Sequence, residues 1–207
     1  MSRIDQVFQS YTRTHATRIA LQDSDDHVTY GDLNARVDAV ARQLQQSGVR
    51  PGDRVLLVAE NSVALALTIL ATSRLRAWSA SVNARLSARE IDNFLLHSGA
   101  RRAVYFSAGS DEAARHGAVQ GAQLLHWDGI GALMLGPLQS DVMTEPAAPD
   151  VAALVYTSGT TGAPKAVMLT HANLLFIGAN SCKIRALTPD DVIYGVLPLS
   201  HVYGLSA

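Results

Sequence analysis

Cysteine is nearly absent from this 207-residue chain: Cys182 stands alone. That excludes an internal disulfide and fits a reducing, cytoplasmic compartment. Aromatic residues make up only 6% and are dispersed, too sparse for a surface that stacks bases. Neither sign of charge prevails, since 17 Lys and Arg stand against 18 Asp and Glu. Nothing therefore suggests nucleic acid or an anionic membrane as a partner. Long apolar runs are also missing. The most apolar stretch, residues 63–72, is about half of the twenty residues a membrane-crossing helix needs. The N-terminus has no apolar secretory core. No segment repeats at a fixed period and none is of low complexity. His15, His27, His97, His116, His126 and His171 show no metal-ligand spacing, and no metal site is expected.

What is present is periodic. Ile4, Val7, Phe8 and Tyr11 recur at helical spacing behind Ser2, which could cap such a helix. Leu33, Val37, Val40 and Leu44 form a second stripe, with Gly48 suited to a left-handed C-terminal cap. Residues 54–59 are near-continuously apolar, as in strands buried on both faces of a parallel sheet. A helix follows over 62–76. Ser87-Ala88-Arg89-Glu90 is a capping-box pattern opening another, which Gly99 closes, and 103–106 reads as the next strand. Strand and helix alternating at this spacing predict an α/β fold of βαβ units forming doubly wound, mainly parallel sheets.

From 136 to 150 the composition turns to Pro, acid and small residues. The expected division is a first lobe over 1–135, a connection over 136–150 and the start of a second lobe over 151–207. A strand is expected over 151–156, another over 166–170, and a helix from Thr170 or His171 to about Asn180. Thr188-Pro189-Asp190-Asp191 reads as a turn, and 192–196 as a strand aimed at His201. Asp25-Asp26 and Asp190-Asp191 look like turn residues and solvated charge, not paired catalytic carboxylates. Cys182, beside Lys183, reads as a buried inert thiol rather than a reactive one.

Between those two strands lies Thr157-Ser158-Gly159-Thr160-Thr161-Gly162-Ala163-Pro164-Lys165. Glycines let backbone approach a ligand closely, and successive N–H groups and hydroxyls can turn inward on an anion. Lys165 adds a movable point charge at the exit, and Pro164 restrains the backbone beside it. This pattern points to a loop that grips the phosphates of a nucleotide. Lys165 follows Pro164 rather than Gly, and a strand follows it. The loop therefore joins two strands and does not open a helix as the common Gly-Lys-Ser/Thr phosphate loop does. Ser158 lacks the preceding glycine that a Gly-x-Ser-x-Gly nucleophile elbow requires.

With Tyr156 before it and Val167 after it, this loop resembles the signature of the adenylate-forming enzymes. These are the acyl- and aryl-CoA synthetases, the adenylation domains of peptide synthetases and the luciferases. Leu197-Pro198-Leu199-Ser200-His201-Val202-Tyr203-Gly204-Leu205 resembles the family's next motif in its acyl-CoA synthetase form, with Ser200 where many members carry Phe. Weaker likeness runs from Thr29-Tyr30-Gly31-Asp32-Leu33 to Asn83-Ala84-Arg85-Leu86. Arg74-Leu75-Arg76-Ala77 departs from the small residues and glycine usual at that helix end, and 80–82 lacks a common proline.

The resemblance implies an ATP-dependent acid–thiol ligase that activates a fatty or aryl carboxylate as an acyl-adenylate and passes it to coenzyme A. It implies phosphate binding by Thr157, Ser158, Gly159, Thr160, Thr161, Gly162 and Lys165, with Mg2+ entering on the phosphates of ATP. His201 would act at the carboxylate and α-phosphate beside Lys165, and Tyr203 and Gly204 would line the acyl pocket. The implied family length is greater, so the chain is expected to be an N-terminal piece, inactive by itself, that works with the rest of the same enzyme. An adenylation domain that loads a carrier protein and a non-catalytic nucleotide-binding or interaction module remain as alternatives.

Overall fold

The computed structural model describes residues 2–142, 150–157 and 164–206. A 3-10 turn at Ile4–Gln6 and helix α1 (Tyr11–Thr14) precede an antiparallel pair, β1 (Ile19–Gln22) with β2 (His27–Thr29). Then come α2 (Tyr30–Gln46), β3 (Arg54–Ala59), α3 (Val63–Arg74), β4 (Trp78–Asn83), α4 (Ala88–Ser98) and β5 (Ala100–Tyr105). After α5 (Asp111–Val119), β6 (Gln123–Trp127) and β7 (Gly131–Leu135), the chain ends in β8 (Val151–Thr157), β9 (Lys165–Thr170), α6 (His171–Ile184) and α7 (Val202–Ser206).

One seven-stranded sheet runs in the order β6-β7-β5-β3-β4-β8-β9. Its centre, β5-β3-β4-β8, is parallel, and antiparallel pairs β5–β7, β6–β7 and β8–β9 extend it on either side. Every residue of β3 is buried. Its side chains alternate as strand geometry requires. Val55, Leu57 and Ala59 join the core that holds Val37, Val40 and Leu44 of α2 and Leu67 of α3. Leu56 and Val58 face the other way, with Ile91 of α4 and Ala113 of α5. Helices thus cover both faces, the doubly wound arrangement expected. The 136–150 stretch, expected as a connection between lobes, lies between β7 and β8, which are strands of this same sheet.

Local signals account for most element ends. The hydroxyls of Thr29, Ser62 and Ser87 accept from Asp32, Leu65 and Glu90 N–H groups and cap α2, α3 and α4. Gly99 closes α4 at φ 57. Arg76 also stands at φ 57, within the 74–77 stretch where the family resemblance leads one to expect small residues and glycine. Its neighbour Arg74 donates to Asp38 at 2.7 Å and to the Asp5 carbonyl at 3.2 Å, so it ties α3 to α2 and to the N-terminal segment. Inside, Asp53 and Arg101 pair at 3.0 Å with almost no exposure.

Three expectations need correction. The stripe Ile4-Val7-Phe8-Tyr11 does not make one helix. Ile4 and Phe8 are buried but Val7 and Tyr11 are not, because the Asp5 carboxylate is drawn to Arg3, Ser73 and Arg74 and the turn tightens around it. Residues 192–196 form no strand and stand largely in solvent, Val192 at 94% exposure. β9 is the last strand of the sheet and no ladder reaches them. Cys182 is exposed, not buried. α6 packs mainly through His171 and Leu174 near its start and presents its far end outward.

Candidate active site

The β8–β9 hairpin is the foundation. Val151 to Val155 are buried, and Ala153 and Leu154 pair in parallel with Ser79 and Ala80 of β4. Tyr156 then anchors the end of β8. Its ring lies 4.2 Å from that of Phe94, and its hydroxyl reaches the Phe94 carbonyl at 3.4 Å and His97 Nδ1 at 3.3 Å. Burial pushes that hydroxyl up to about 12, so it stays protonated at any physiological pH.

One residue further on comes the last described pair of the ladder. Thr157 is the cross-strand partner of Lys165, and its Oγ1 lies 3.5 Å from the Lys165 carbonyl oxygen, to which it donates. Both side chains are exposed. Ser158, Gly159, Thr160, Thr161 and Gly162 lie outside the described residues. The hairpin nevertheless pairs Thr157 and Lys165, which flank that stretch, on the last rung of an anchored ladder.

His201, 44 residues beyond Thr157, comes to the same place by another route. Residues 195–201 run as an irregular strap across the carboxyl end of β3. The strap is tied down by Asn61, whose Nδ2 donates to the Gly195 and Leu197 carbonyls at 3.0 and 2.8 Å and whose Oδ1 accepts from Leu199 N at 2.9 Å. The His201 amide donates to the Pro198 carbonyl at 2.9 Å, which turns the chain into α7. His201 Nδ1 accepts from Tyr203 N at 3.3 Å, so the neutral ring carries its proton on Nε2. The Tyr203 ring stacks on it, 5.6 Å away and 12° from parallel. Gly204 packs so tightly under the strap that a Cβ there would overlap the Pro198 and Leu197 carbonyl groups.

Thr157 and His201 line one cavity of about 400 Å³, walled by Val155, Val167, Leu169 and Val202. Its lining carries a hydroxyl and an imidazole and is otherwise mostly apolar. Such a space suits a ligand with an apolar body and a polar end. Among the described residues no three His, Cys, Asp or Glu side chains are placed to hold a metal ion. No helix there is long and apolar enough to cross a membrane.

Asn61 and Tyr156 were not read from the sequence as site-building residues. Tyr156 carried a signal, since it begins the loop motif. Asn61 carried none, because its partners lie 134 to 138 residues away.

The chain is 33% identical over 195 residues to a feruloyl-CoA synthase from an Amycolatopsis species, covering 92% of this chain and 38% of that protein. It is 34% identical over 190 residues to an oxalate–CoA ligase of Arabidopsis thaliana, covering 87% of this chain and 37% of that protein. The chain thus spans 37–38% of these two curated relatives. Among solved structures, it matches the o-succinylbenzoate CoA synthetase of Bacillus subtilis in complex with its acyl-adenylate intermediate. That match has 28% identity and a TM-score of 0.71, and covers 99% of this chain and 52% of that one. ATP-bound MatB from Rhodopseudomonas palustris matches at 29% identity and a TM-score of 0.67, covering 91% of this chain and 39% of that one. The model of the AMP-binding enzyme family matches residues 8–207, which takes in the hairpin and the strap alike, and the chain belongs to that family.

Proposed function

We propose that this chain supplies the phosphate-gripping part of an ATP-dependent, AMP-forming acid–CoA ligase acting on a fatty or aryl carboxylic acid. The observation that carries this reading is the shared cavity: the Thr157 end of the hairpin and His201 of the strap open onto one space, with Lys165 across the last rung from Thr157.

In this reading a carboxylate oxygen attacks the α-phosphorus of ATP, the bond to the bridging oxygen breaks, and pyrophosphate leaves. The acyl-adenylate is then attacked at its carbonyl carbon by the thiol of coenzyme A, and AMP departs. Little covalent chemistry falls to the protein, which positions reactants and neutralises charge. The hydroxyls of Thr157, Ser158, Thr160 and Thr161, with N–H groups at Gly159 and Gly162, would hold the β- and γ-phosphates. The Lys165 ammonium would follow the charge onto the leaving pyrophosphate. The Nε2–H of His201 would donate to the carboxylate or to an α-phosphate oxygen and orient attack. Tyr203, stacked on that ring, and Gly204 would shape the acyl end of the pocket. Magnesium, carried in on the phosphates, would supply further positive charge. A cytoplasmic location belongs to the same reading.

Because the chain spans 38% of the feruloyl-CoA synthase it matches, the activity is proposed for a protein carrying the family's whole length. The 207 residues alone should form no acyl-CoA. The test is exchange of labelled pyrophosphate into ATP, screened against fatty, aryl and amino acids. Exchange that appears only with one class of acid supports the reading and names the substrate. Thioester formation with coenzyme A, compared with a carrier protein, then separates the ligase from a carrier-loading adenylation domain. Cross-linking of a nucleotide analogue away from 157–165, with no acid-dependent exchange, would overturn it.

A further inference from the structure

The turn that follows β3 is braced on both sides of Asn61. Glu60 Oε2 accepts from Arg85 at 2.7 Å, Ser62 Oγ accepts from Leu65 N at 3.1 Å, and Asp23 Oδ2 accepts from Val63 N at 2.7 Å. β3 itself is the buried central strand, held by parallel neighbours on both edges. Asn61 therefore projects from a turn tied to its surroundings on either side.

All three of its hydrogen bonds given above go to the strap. One primary amide has two donor hydrogens and an acceptor oxygen, and here both kinds of group are matched. Turned over, the amide would set its oxygen against two carbonyl oxygens and its NH2 against the Leu199 N–H. Its orientation is thus determined by its partners rather than by convention. Residues 195–199 belong to no helix or strand, so Asn61 does for them what a neighbouring strand would do: it engages alternate backbone groups at Gly195, Leu197 and Leu199. Two residues beyond Leu199 stands His201, over the cavity it shares with Thr157.

We infer that Asn61 is a positioning residue for His201. It ties the strap to the carboxyl end of β3 and so sets the height of the imidazole above the cavity. The functional weight of this rests on the role proposed for His201; the structural claim does not.

The test has two arms. In the first, amide hydrogen exchange is measured in this chain. Asn61→Ala should speed exchange at Leu199 by about tenfold or more, the loss of a backbone group's partner, while Val58 within β3 stays protected. Asn61→Asp keeps the shape but sets a carboxylate against two carbonyls. Its Leu199 amide should regain protection as pH falls through about 4, where the carboxyl takes up a proton and can donate again, with wild type run alongside. A residue that merely stabilised the turn would expose Val58 together with Leu199 and would show no such recovery. Unchanged Leu199 exchange in Asn61→Ala, or equal loss at Val58, overturns the inference. In the second arm, pyrophosphate exchange by a protein of full family length should show a KM for the carboxylic acid raised about tenfold in Asn61→Ala, with the KM for ATP within twofold of wild type. A matched rise in both would also count against it. If wild type shows no exchange at all, the functional proposal fails, and Leu199 exchange still decides the role of Asn61.

Discussion

Thr157 and Lys165 face each other across the last rung of the β8–β9 pair, with the Thr157 hydroxyl donating to the Lys165 carbonyl at 3.5 Å. The lysine backbone is therefore held by the ladder while its side chain stays in solvent. A fixed root with an exposed side chain fits the role proposed for Lys165, that of a charge meeting one phosphate group and following it as it leaves.

Lys165→Ala should accordingly weaken binding of inorganic pyrophosphate by about 1.5–3 kcal/mol, the usual worth of a charged hydrogen bond, with thermal stability unchanged. Titration calorimetry at low and high salt checks the affinity, and a thermal denaturation scan checks the stability. Equal affinities for wild type and variant would remove Lys165 from the phosphate site.

Gly204 tests the strap from its other end. Gly204→Ala forces a methyl into the space of the Pro198 and Leu197 carbonyls, so the strap and α7 must part. α7 has no buried residue, so the denaturation midpoint should hardly move. The ring-current shifts that Tyr203 and His201 impose on each other should be lost, as NMR of the two rings would show. Retention of those shifts would mean that the close approach is not what seats the imidazole.

Stability should fall as pH drops from about 6.5 toward 4. His171 is 2% exposed, and burial, helped by the Arg3 guanidinium, pushes it down to about 4 against the opposing pull of Asp5 and Asp150. Its Nδ1 accepts from Ile4 N at 3.4 Å, which requires the neutral ring. The folded pKa lies below the unfolded one, so the unfolded chain binds the extra proton in this window and unfolding is favoured there. The stability is fully present above about 6.5, and the loss, at most about 3 kcal/mol, is complete below about 4. Urea denaturation of wild type and His171→Leu at several pH values isolates it. Parallel curves for the two proteins would refute the assignment.

Arg76 is exposed and holds a left-handed conformation, φ 57, which costs a side-chain-bearing residue roughly 1–2 kcal/mol. Arg76→Gly should therefore stabilise the chain by about 1 kcal/mol, whereas Arg76→Ala, which keeps the Cβ, should not. Chemical denaturation of the pair decides it, and a loss in the glycine variant would show that the arginine side chain is needed.

Much of the frame was legible because it rests on near neighbours in sequence. Ser87 and Glu90 cap each other three residues apart, Gly99 supplies the left-handed residue after them, and the near-continuous apolar run in β3 suits a strand buried on both faces. The pairs β1–β2 and β6–β7 and the helix α5 were not read: the strands are three to five residues long and partly exposed, and α5 buries only Ala113 and Gly117. The run at 192–196 misled for the opposite reason: it is apolar and β-branched, yet pairs with no strand.

Residue chemistry along the chain determined that a loop rich in Ser, Thr and Gly would join two strands with Lys165 at its exit, and that a histidine motif would follow it. Such features depend on what a few consecutive residues can do. Only the tertiary structure decided that β8 lies beside β4, that the Thr157 end of the hairpin shares a cavity with His201, and that Asn61 at the end of β3 fastens the strap carrying that histidine. Those relationships join groups far apart in the chain, and their partners are chosen by the order of strands in a sheet, which no local pattern of residues specifies.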